Sequence, residues 1–325
     1  MDRWSIQCMG KVMHAKLSAL EAIPDVELRK DEPLARHTTF RVGGPVRFLA
    51  RPRSREALVA LLNALRQCEL PFIIVGEGSN VLAPDEPWDM VVIQLHLACN
   101  GLVCAGPNAR GLEAVFAGAG TTLWDLMSYC VSRGLQGLEC LAGVPATVGG
   151  ALFMNASTSW GSICDHLAYI DVLDAKGNKR TLCRQALSPG YRTMSLPQNC
   201  VILGAGFELG SCVPDLVKER VETILEKRRR TQPLRYPSAG SVFKNPEGQF
   251  AGALVEKAGL KGYRIGDAQI SEKHANWIVN RGRATAGEII ELVEKAENEV
   301  YGTFGVRLER EIRILGQLYR SPALC

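Results

Sequence analysis

An α+β protein of two or three domains is predicted by three observations. The chain has 325 residues, too many for one ordinary core. Short apolar, strand-like runs alternate irregularly with amphipathic helical patterns, and several of the runs end in glycine-rich turns. Apolar residues make up 46% and charged residues 22%, with a mean hydropathy of +0.00, a balance that excludes disordered, collagenous and integral-membrane chains. A net charge of +4, from 38 basic against 34 acidic residues, is too small to argue for nucleic-acid binding.

Residues 1–30 show no clear periodicity and no apolar run of signal-peptide length, so they are expected to form an extension outside the fold, with order beginning near Thr38. Nothing directs export, and a cytoplasmic protein is expected. Ser54 is placed to cap a helix running to Cys68, with Leu58, Leu61, Leu62 and Leu65 on one face. Phe72–Val75 reads as a strand ending in Gly76-Glu77-Gly78-Ser79-Asn80, and Val91–Ile93 as another. The small-residue turn Ala117–Gly120 leads into a helix from Thr122 to Arg133, with Leu123, Leu126, Met127 and Cys130 inward and Gly134 as its stop. Strands recur at Ile170–Leu173 and Val201–Leu203.

Pro214–Arg230 is an amphipathic helix with Val217, Val221, Ile224 and Leu225 inward, and the second domain boundary is set at its start. The cations Lys227–Arg230 would add a positive field near a bound diphosphate, but a helix C-terminus needs no ligand to explain them, and that reading is preferred. A capping box, Thr285-Ala286-Gly287-Glu288, opens a last helix through Ile289, Val293, Ala296 and Val300. The resulting division is 1–30, then 31–210 as two subdomains (31–96 and 97–210), then 211–319.

Cys140–Cys164 carries no charge, but its glycines, Pro145, Asn155 and hydroxyl residues argue against a membrane span. Eleven cysteines, an odd number without a CxxC pair, read as mostly buried thiols of a reducing compartment. The five histidines never pair at ligand spacing, so no metal is expected.

Gly76-x-Gly78 and Gly118-x-Gly120 each follow a strand-like run, where backbone N–H groups can converge on a phosphate. A lone GxG is more often a tight turn. Val81 and Leu123 stand where a third glycine belongs, so the Rossmann fingerprint is absent at both. The uncharged segment from Pro145 to Asn155 adds Gly149-Gly150 with hydroxyl and amide donors and no carboxylate, the properties of a pyrophosphate cradle, and its plainer reading is a buried, glycine-kinked strand. Three such segments together point to a bound dinucleotide.

Longer motifs then become specific. TTFRVGGP (Thr38–Pro45), Gly76–Asn80, Gly137-Leu138-Glu139, Pro145–Ala151, Tyr191-Arg192, GSVFKNP (Gly240–Pro246), Gly259–Gly262 and SEKHAN (Ser271–Asn276) occur in the order and approximate spacing of one family. From about Thr38 to Gly316 the chain resembles the UDP-N-acetylenolpyruvoylglucosamine reductase (MurB) family, in its shorter, type II form. The resemblance implies a two-subdomain FAD-binding region of the PCMH/vanillyl-alcohol-oxidase type followed by an α+β substrate-binding domain. It implies non-covalent FAD, NADPH as electron source and a UDP-sugar substrate, with no nucleic-acid or membrane partner and a monomeric state. The reaction would reduce UDP-N-acetylglucosamine enolpyruvate to UDP-N-acetylmuramate for peptidoglycan, with hydride delivered to the β-carbon.

By the same resemblance Arg41, Gly76, Glu77, Gly78, Ser79, Asn80, Val81, Gly120, Thr147, Gly149, Gly150 and Asn155 would meet the cofactor. Tyr191, Lys244, Asn245 and His274 would meet the substrate, although His274 reads equally well as a structural histidine. Ser241 would give a proton to the α-carbon, and Arg192 and Glu311 would stabilise the enediolate between. Two departures stand out. Ser157-Thr158-Ser159-Trp160 replaces the family's usual Gly-Ala-Tyr-Gly, and Ala146 stands where glycine is usual. The alternatives are a flavin oxidase, in which histidine near the glycine loop often tethers the flavin although Gly76–Leu82 has none, and a non-catalytic nucleotide-binding regulator.

Overall fold

The computed structural model describes residues 20–316, and the first of these already belong to the fold. Leu20 is 1% exposed and joins the main core. Strand β1 (Val26–Pro33) pairs antiparallel with β2 (Pro45–Pro52), from Val26↔Pro52 to Pro33↔Pro45. The expected extension to residue 30 and the onset near Thr38 are therefore corrected; residues 1–19 lie outside the described residues. The strand escaped notice because it lies at a sheet edge, where Arg29, Lys30 and Asp31 face water and blunt the edge, erasing the apolar alternation.

The first subdomain continues through α1 (Arg55–Gln67), β3 (Phe72–Ile74), β4 (Val81–Leu82) and β5 (Trp88–Ile93). Its sheet runs β1-β2-β5-β3, with β2, β5 and β3 parallel. As the spacing predicts, the Ser54 hydroxyl accepts from the Ala57 N–H at 3.1 Å, and Leu58, Leu61, Leu62 and Leu65 are buried.

The second subdomain contains β6 (Leu102–Pro107), β7 (Glu113–Gly118), α2 (Leu123–Arg133), β8 (Leu135–Gln136), α3 (Val148–Phe153), and the hairpin β9–β10 (Ser157–Thr158 and Gly161–Ser162). It continues with β11 (Leu167–Leu173), β12 (Lys179–Cys183), the hairpin β13–β14 (Ser188–Gly190 and Thr193–Ser195) and β15 (Val201–Ser211). Its antiparallel sheet runs β12-β11-β15-β7-β6, with β8 on β15. Both subdomains share one core, so the cleft between them has rigid walls. Burial in that core pushes the Cys130 and Cys140 thiols up to about 12, which keeps them protonated and inert.

Helix α4 (Pro214–Thr231) packs on α2 and on the turn at Glu139–Leu141. It therefore closes the second subdomain instead of opening the C-terminal one, and the boundary expected at 211 moves past Thr231. Its apolar stripe matches the groove beside α2, a match that composition alone does not reveal.

The C-terminal domain comprises α5 (Ala251–Lys257), β16 (Arg264–Ile265), β17 (Ala268–Ile270), β18 (Ile278–Asn280), α6 (Ala286–Phe304) and β19 (Arg313–Ile314). Its own core holds Leu254, Val255, Ile289, Leu292, Val293 and Val300, and draws in Phe40, Val42 and Leu82 from the first part of the chain. The expected capping box is formed: the Thr285 hydroxyl accepts from Glu288 N–H at 3.1 Å while Glu288 accepts from Thr285 N–H. Strand β19 then returns to pair in parallel with β4, Arg313 opposite Val81, so this strand lies against the segment that follows the loop after β3. Among the described residues no helix is long and apolar enough to cross a membrane.

Candidate functional site

A cavity of about 750 Å³ opens where the loop after β3, the start of α3, hairpin β9–β10, the end of α4, the turn before Val242 and residues Glu311 and Arg313 meet. The loop's glycines are dictated by space. At Gly76 a Cβ would lie 2.4 Å from the Thr147 hydroxyl, and at Gly78, with φ +64°, it would lie 2.1 Å from the His37 carbonyl oxygen. The two glycine segments therefore touch backbone to side chain without room for a methyl group. Thr147 caps α3 by accepting from Gly150 N–H at 3.2 Å. Glu77 is held by His96, Oε1 to Nε2 2.7 Å, a hydrogen bond that keeps its carboxyl below the ordinary glutamate range.

Gly76 through Val81, Gly120, Thr147, Gly149 and Gly150 all line this one cavity. Arg41 and Asn155 do not. Arg41 is exposed on a left-handed backbone (φ +56°), which turns its side chain outward. Asn155 donates from Nδ2 to the Gly190 carbonyl at 2.9 Å, tying the end of α3 to hairpin β13–β14.

That hairpin carries Tyr191-Arg192 as its two-residue turn. Arg192 lies on the wall, its Nε 2.7 Å from Glu311 Oε1 and its Nη1 donating to the carbonyl (2.8 Å) and hydroxyl (2.9 Å) of Ser157. The Nε contact is an ion-pair distance without straight hydrogen-bond geometry. The Glu311 side chain is 10% exposed. Burial raises its pKa above the ordinary glutamate range, against the opposing pull of Arg192 and of Lys244.

Glu311 is seated by the two segments it faces. Its N–H donates to the Val242 carbonyl at 2.7 Å, and Asn80 Nδ2 donates to its carbonyl at 3.1 Å. The first of these bonds also fixes the neighbouring Ser241 on the wall. The Asn276 side chain clamps the same segment, donating to the Phe243 carbonyl at 2.8 Å and accepting from Phe243 N–H at 2.9 Å.

The expected substrate residues lie off this wall. Asn245 N–H points to Tyr191 Oη at 3.5 Å, and Lys244 pairs with Glu309, so Tyr191, Lys244 and Asn245 form one group next to Arg192 and Glu311. His274 is half-buried, its Nδ1 accepting from Asn276 N–H at 3.2 Å, and burial lowers its pKa. These contacts fit the structural reading of His274, and Asn276 is the residue of SEKHAN that shapes the site.

The sequence reading missed two cations. Arg228 is 8% exposed, lines the cavity and has no carboxylate partner, and its Nε lacks any acceptor among the described residues. Burial draws its pKa down. A helical-wheel signal could have found it, because Arg228 falls four residues after Ile224 and seven after Val221, on the inward stripe. Arg313 also lines the cavity, over the Phe153 ring at 4.6 Å from its centroid. It follows Glu311 by two residues, the spacing that puts strand residues on one face.

A buried cation without a partner is costly unless an anion completes it. With a glycine cradle too tight for side chains beside it, the cavity fits the diphosphate of a dinucleotide, with Gly76–Asn80, Gly149, Gly150 and Arg228 placed to hold it. The fold and this cavity define a dinucleotide-binding protein whose separate C-terminal domain supplies part of the cavity wall.

The description "FAD binding domain" matches residues 46–182, and "UDP-N-acetylenolpyruvoylglucosamine reductase, C-terminal domain" matches residues 232–315. A UDP-N-acetylenolpyruvoylglucosamine reductase of Syntrophobacter fumaroxidans is 49% identical over 298 residues, covering 92% of this chain and 86% of the relative. One from Moorella thermoacetica is 42% identical over 295 residues, 90% of this chain and 94% of the relative. The crystal structure of MurB from Thermus caldophilus superimposes with a TM-score of 0.73 at 36% identity, covering 89% of this chain and 98% of that one. The chain belongs to the UDP-N-acetylenolpyruvoylglucosamine reductase family. It is an enzyme, an oxidoreductase whose cofactor is FAD.

Proposed function

We propose that this enzyme reduces UDP-N-acetylglucosamine enolpyruvate to UDP-N-acetylmuramate in peptidoglycan precursor synthesis, drawing electrons from NADPH. The observation that carries the reading is the meeting of Arg192, Ser241 and Glu311 on one wall of the cavity beside the glycine cradle. FAD, when bound, relays two electrons from NADPH to the enolpyruvyl double bond.

Electron delivery to the β-carbon pushes charge into the adjacent carboxylate and yields an enediolate with two negative charges. Arg192 offers this dianion a fixed guanidinium. Glu311, biased by burial toward its neutral form, donates its proton as a hydrogen bond to an enediolate oxygen while its other oxygen keeps the Arg192 contact. The Ser241 hydroxyl then gives its proton to the α-carbon and recovers one from solvent. A non-catalytic regulator has no use for an acid in this position.

The test is direct. The purified protein should be yellow, release its flavin on acid precipitation, and oxidise NADPH only when UDP-N-acetylglucosamine enolpyruvate is present. Equal NADPH oxidation with and without that substrate would favour the oxidase reading.

Arg228 gives a separate check on cofactor binding. A charge-assisted hydrogen bond contributes about 1.5–3 kcal/mol, so Arg228→Met should weaken FAD binding by roughly 10- to 100-fold in titrations of the apoprotein. The apoprotein itself should be as stable as the parent or more so, because an unpaired buried cation has been removed. Undiminished FAD affinity would show that Arg228 is not the cofactor's counter-charge.

A further inference from the structure

Ser157-Thr158-Ser159-Trp160, the run that departs from the family's usual Gly-Ala-Tyr-Gly, lies on the cavity wall as part of hairpin β9–β10. The hairpin is held at two rungs, Ser157 opposite Ser162 and Thr158 opposite Gly161. The Thr158 hydroxyl ties it to the second subdomain by donating to the Cys140 carbonyl at 3.2 Å. Ser157 is the residue of this run that meets Arg192.

Any residue at position 157 offers a carbonyl to Arg192. The serine hydroxyl adds a second acceptor for Nη1 at 2.9 Å beside the carbonyl at 2.8 Å. With Nε against Glu311 at 2.7 Å, two of the three nitrogens are held and the guanidinium plane is fixed. Nη2 makes no hydrogen bond to the protein among the described residues, which leaves it for a ligand oxygen. A glycine would leave Nη1 the carbonyl and take away its side-chain acceptor. Arg192 has several rotatable side-chain bonds on a left-handed backbone (φ +59°) at a hairpin tip, so its orientation depends on such anchors.

We propose that Ser157 is a positioning residue for the reduction: its hydroxyl and carbonyl together lock the Arg192 guanidinium so that Nη2 is presented to the substrate carboxylate as charge develops there. This rests on the reading of Arg192 given above. The effect belongs to the step in which the enolpyruvyl substrate is reduced, since the Ser157 carbonyl and hydroxyl both accept their hydrogen bonds from Arg192.

The test uses the FAD-loaded enzyme with Ser157→Ala and Ser157→Gly, each alone and combined with Arg192→Ala, in stopped-flow measurements of both half-reactions. In the parent background, loss of one hydrogen bond to a charged group should slow reoxidation of the reduced flavin by the enolpyruvyl substrate about tenfold. Flavin reduction by NADPH, FAD affinity and the flavin spectrum should stay unchanged, and the loss should fall on kcat more than on KM. In the Arg192→Ala background the same serine substitutions should change nothing further, because their target is gone. An equal tenfold loss in both backgrounds, or no loss in the parent, would overturn the proposal while leaving the reading of Arg192 intact. A parent-like reoxidation rate in Arg192→Ala alone would overturn that reading, and the proposal with it.

Discussion

Ser241→Ala should slow reoxidation of the reduced flavin by the enolpyruvyl substrate by roughly 10²- to 10⁴-fold, the range for removing a positioned acid, while reduction by NADPH should keep the parent rate. The two half-reactions separate because protonation of the substrate's α-carbon follows flavin reduction. The structure makes this variant a clean one. Ser241 stands on the cavity wall between Gly240, with φ +75°, and the buried Val242, whose carbonyl holds Glu311 N–H. The Ser241 hydroxyl itself makes no hydrogen bond to the protein among the described residues, so removing it should cost only a fraction of a kcal/mol in stability. Stopped-flow absorbance follows each half-reaction alone. A Ser241→Ala enzyme that reoxidises at the parent rate with an unchanged flavin spectrum would remove Ser241 as the proton donor.

Glu311→Gln should lower the same half-reaction by roughly 10²- to 10³-fold, as for the loss of one preorganised donor to a developing oxyanion. The amide keeps the shape but puts a weaker, differently oriented N–H in place of the acidic O–H aimed at the enediolate oxygen, so the loss measures that acidic donor. The sign of the pH dependence follows from burial. Because the folded enzyme raises the Glu311 pKa, the donating neutral form dominates below that pKa and is lost as pH rises through it. The parent rate should therefore fall on an alkaline limb that the glutamine variant lacks. Stability follows the same sign: the contribution of Glu311 is complete below the ordinary glutamate range and declines as pH rises from there through the folded value. Burial sets that upward shift, and the cations Arg192 and Lys244 oppose it. A variant that keeps the alkaline limb would assign it to another group.

Local structure was legible wherever a local rule dictates it. The caps Ser54, Thr122 and Thr285 and the stop at Gly134 stand where the sequence pattern puts them, because a cap bonds backbone within three residues of itself. Strand β1 was missed for the opposite reason, since its partner β2 rather than its own pattern makes it a strand. The cavity wall takes in Arg228 and leaves out Arg41 for a related cause. Motif membership marked Arg41, but its left-handed backbone turns it out to solvent. A run of four cations concealed Arg228, yet the helical stripe of α4 buries that one member and exposes Lys227, Arg229 and Arg230.

By itself the sequence determined the helices that open at Ser54, Thr122, Pro214 and Thr285, though not the short helices α3 and α5, together with the glycine loops, the absence of a Rossmann fingerprint and the resemblance to one reductase family. Those features are written in short windows, where propensity, spacing and φ requirements act on neighbouring residues. Only the tertiary structure decided that the glycine loop, Arg192, Ser241 and Glu311 share a wall. Asn80 and the Glu311 carbonyl it holds are 231 residues apart. No periodicity links them; they meet because β19 pairs with β4 and because the Val242 carbonyl receives the Glu311 N–H. Such pairings are selected by burial and hydrogen-bond satisfaction over the whole chain. The same closure strips water from Glu311 and Arg228, and so sets their protonation and their need for a partner.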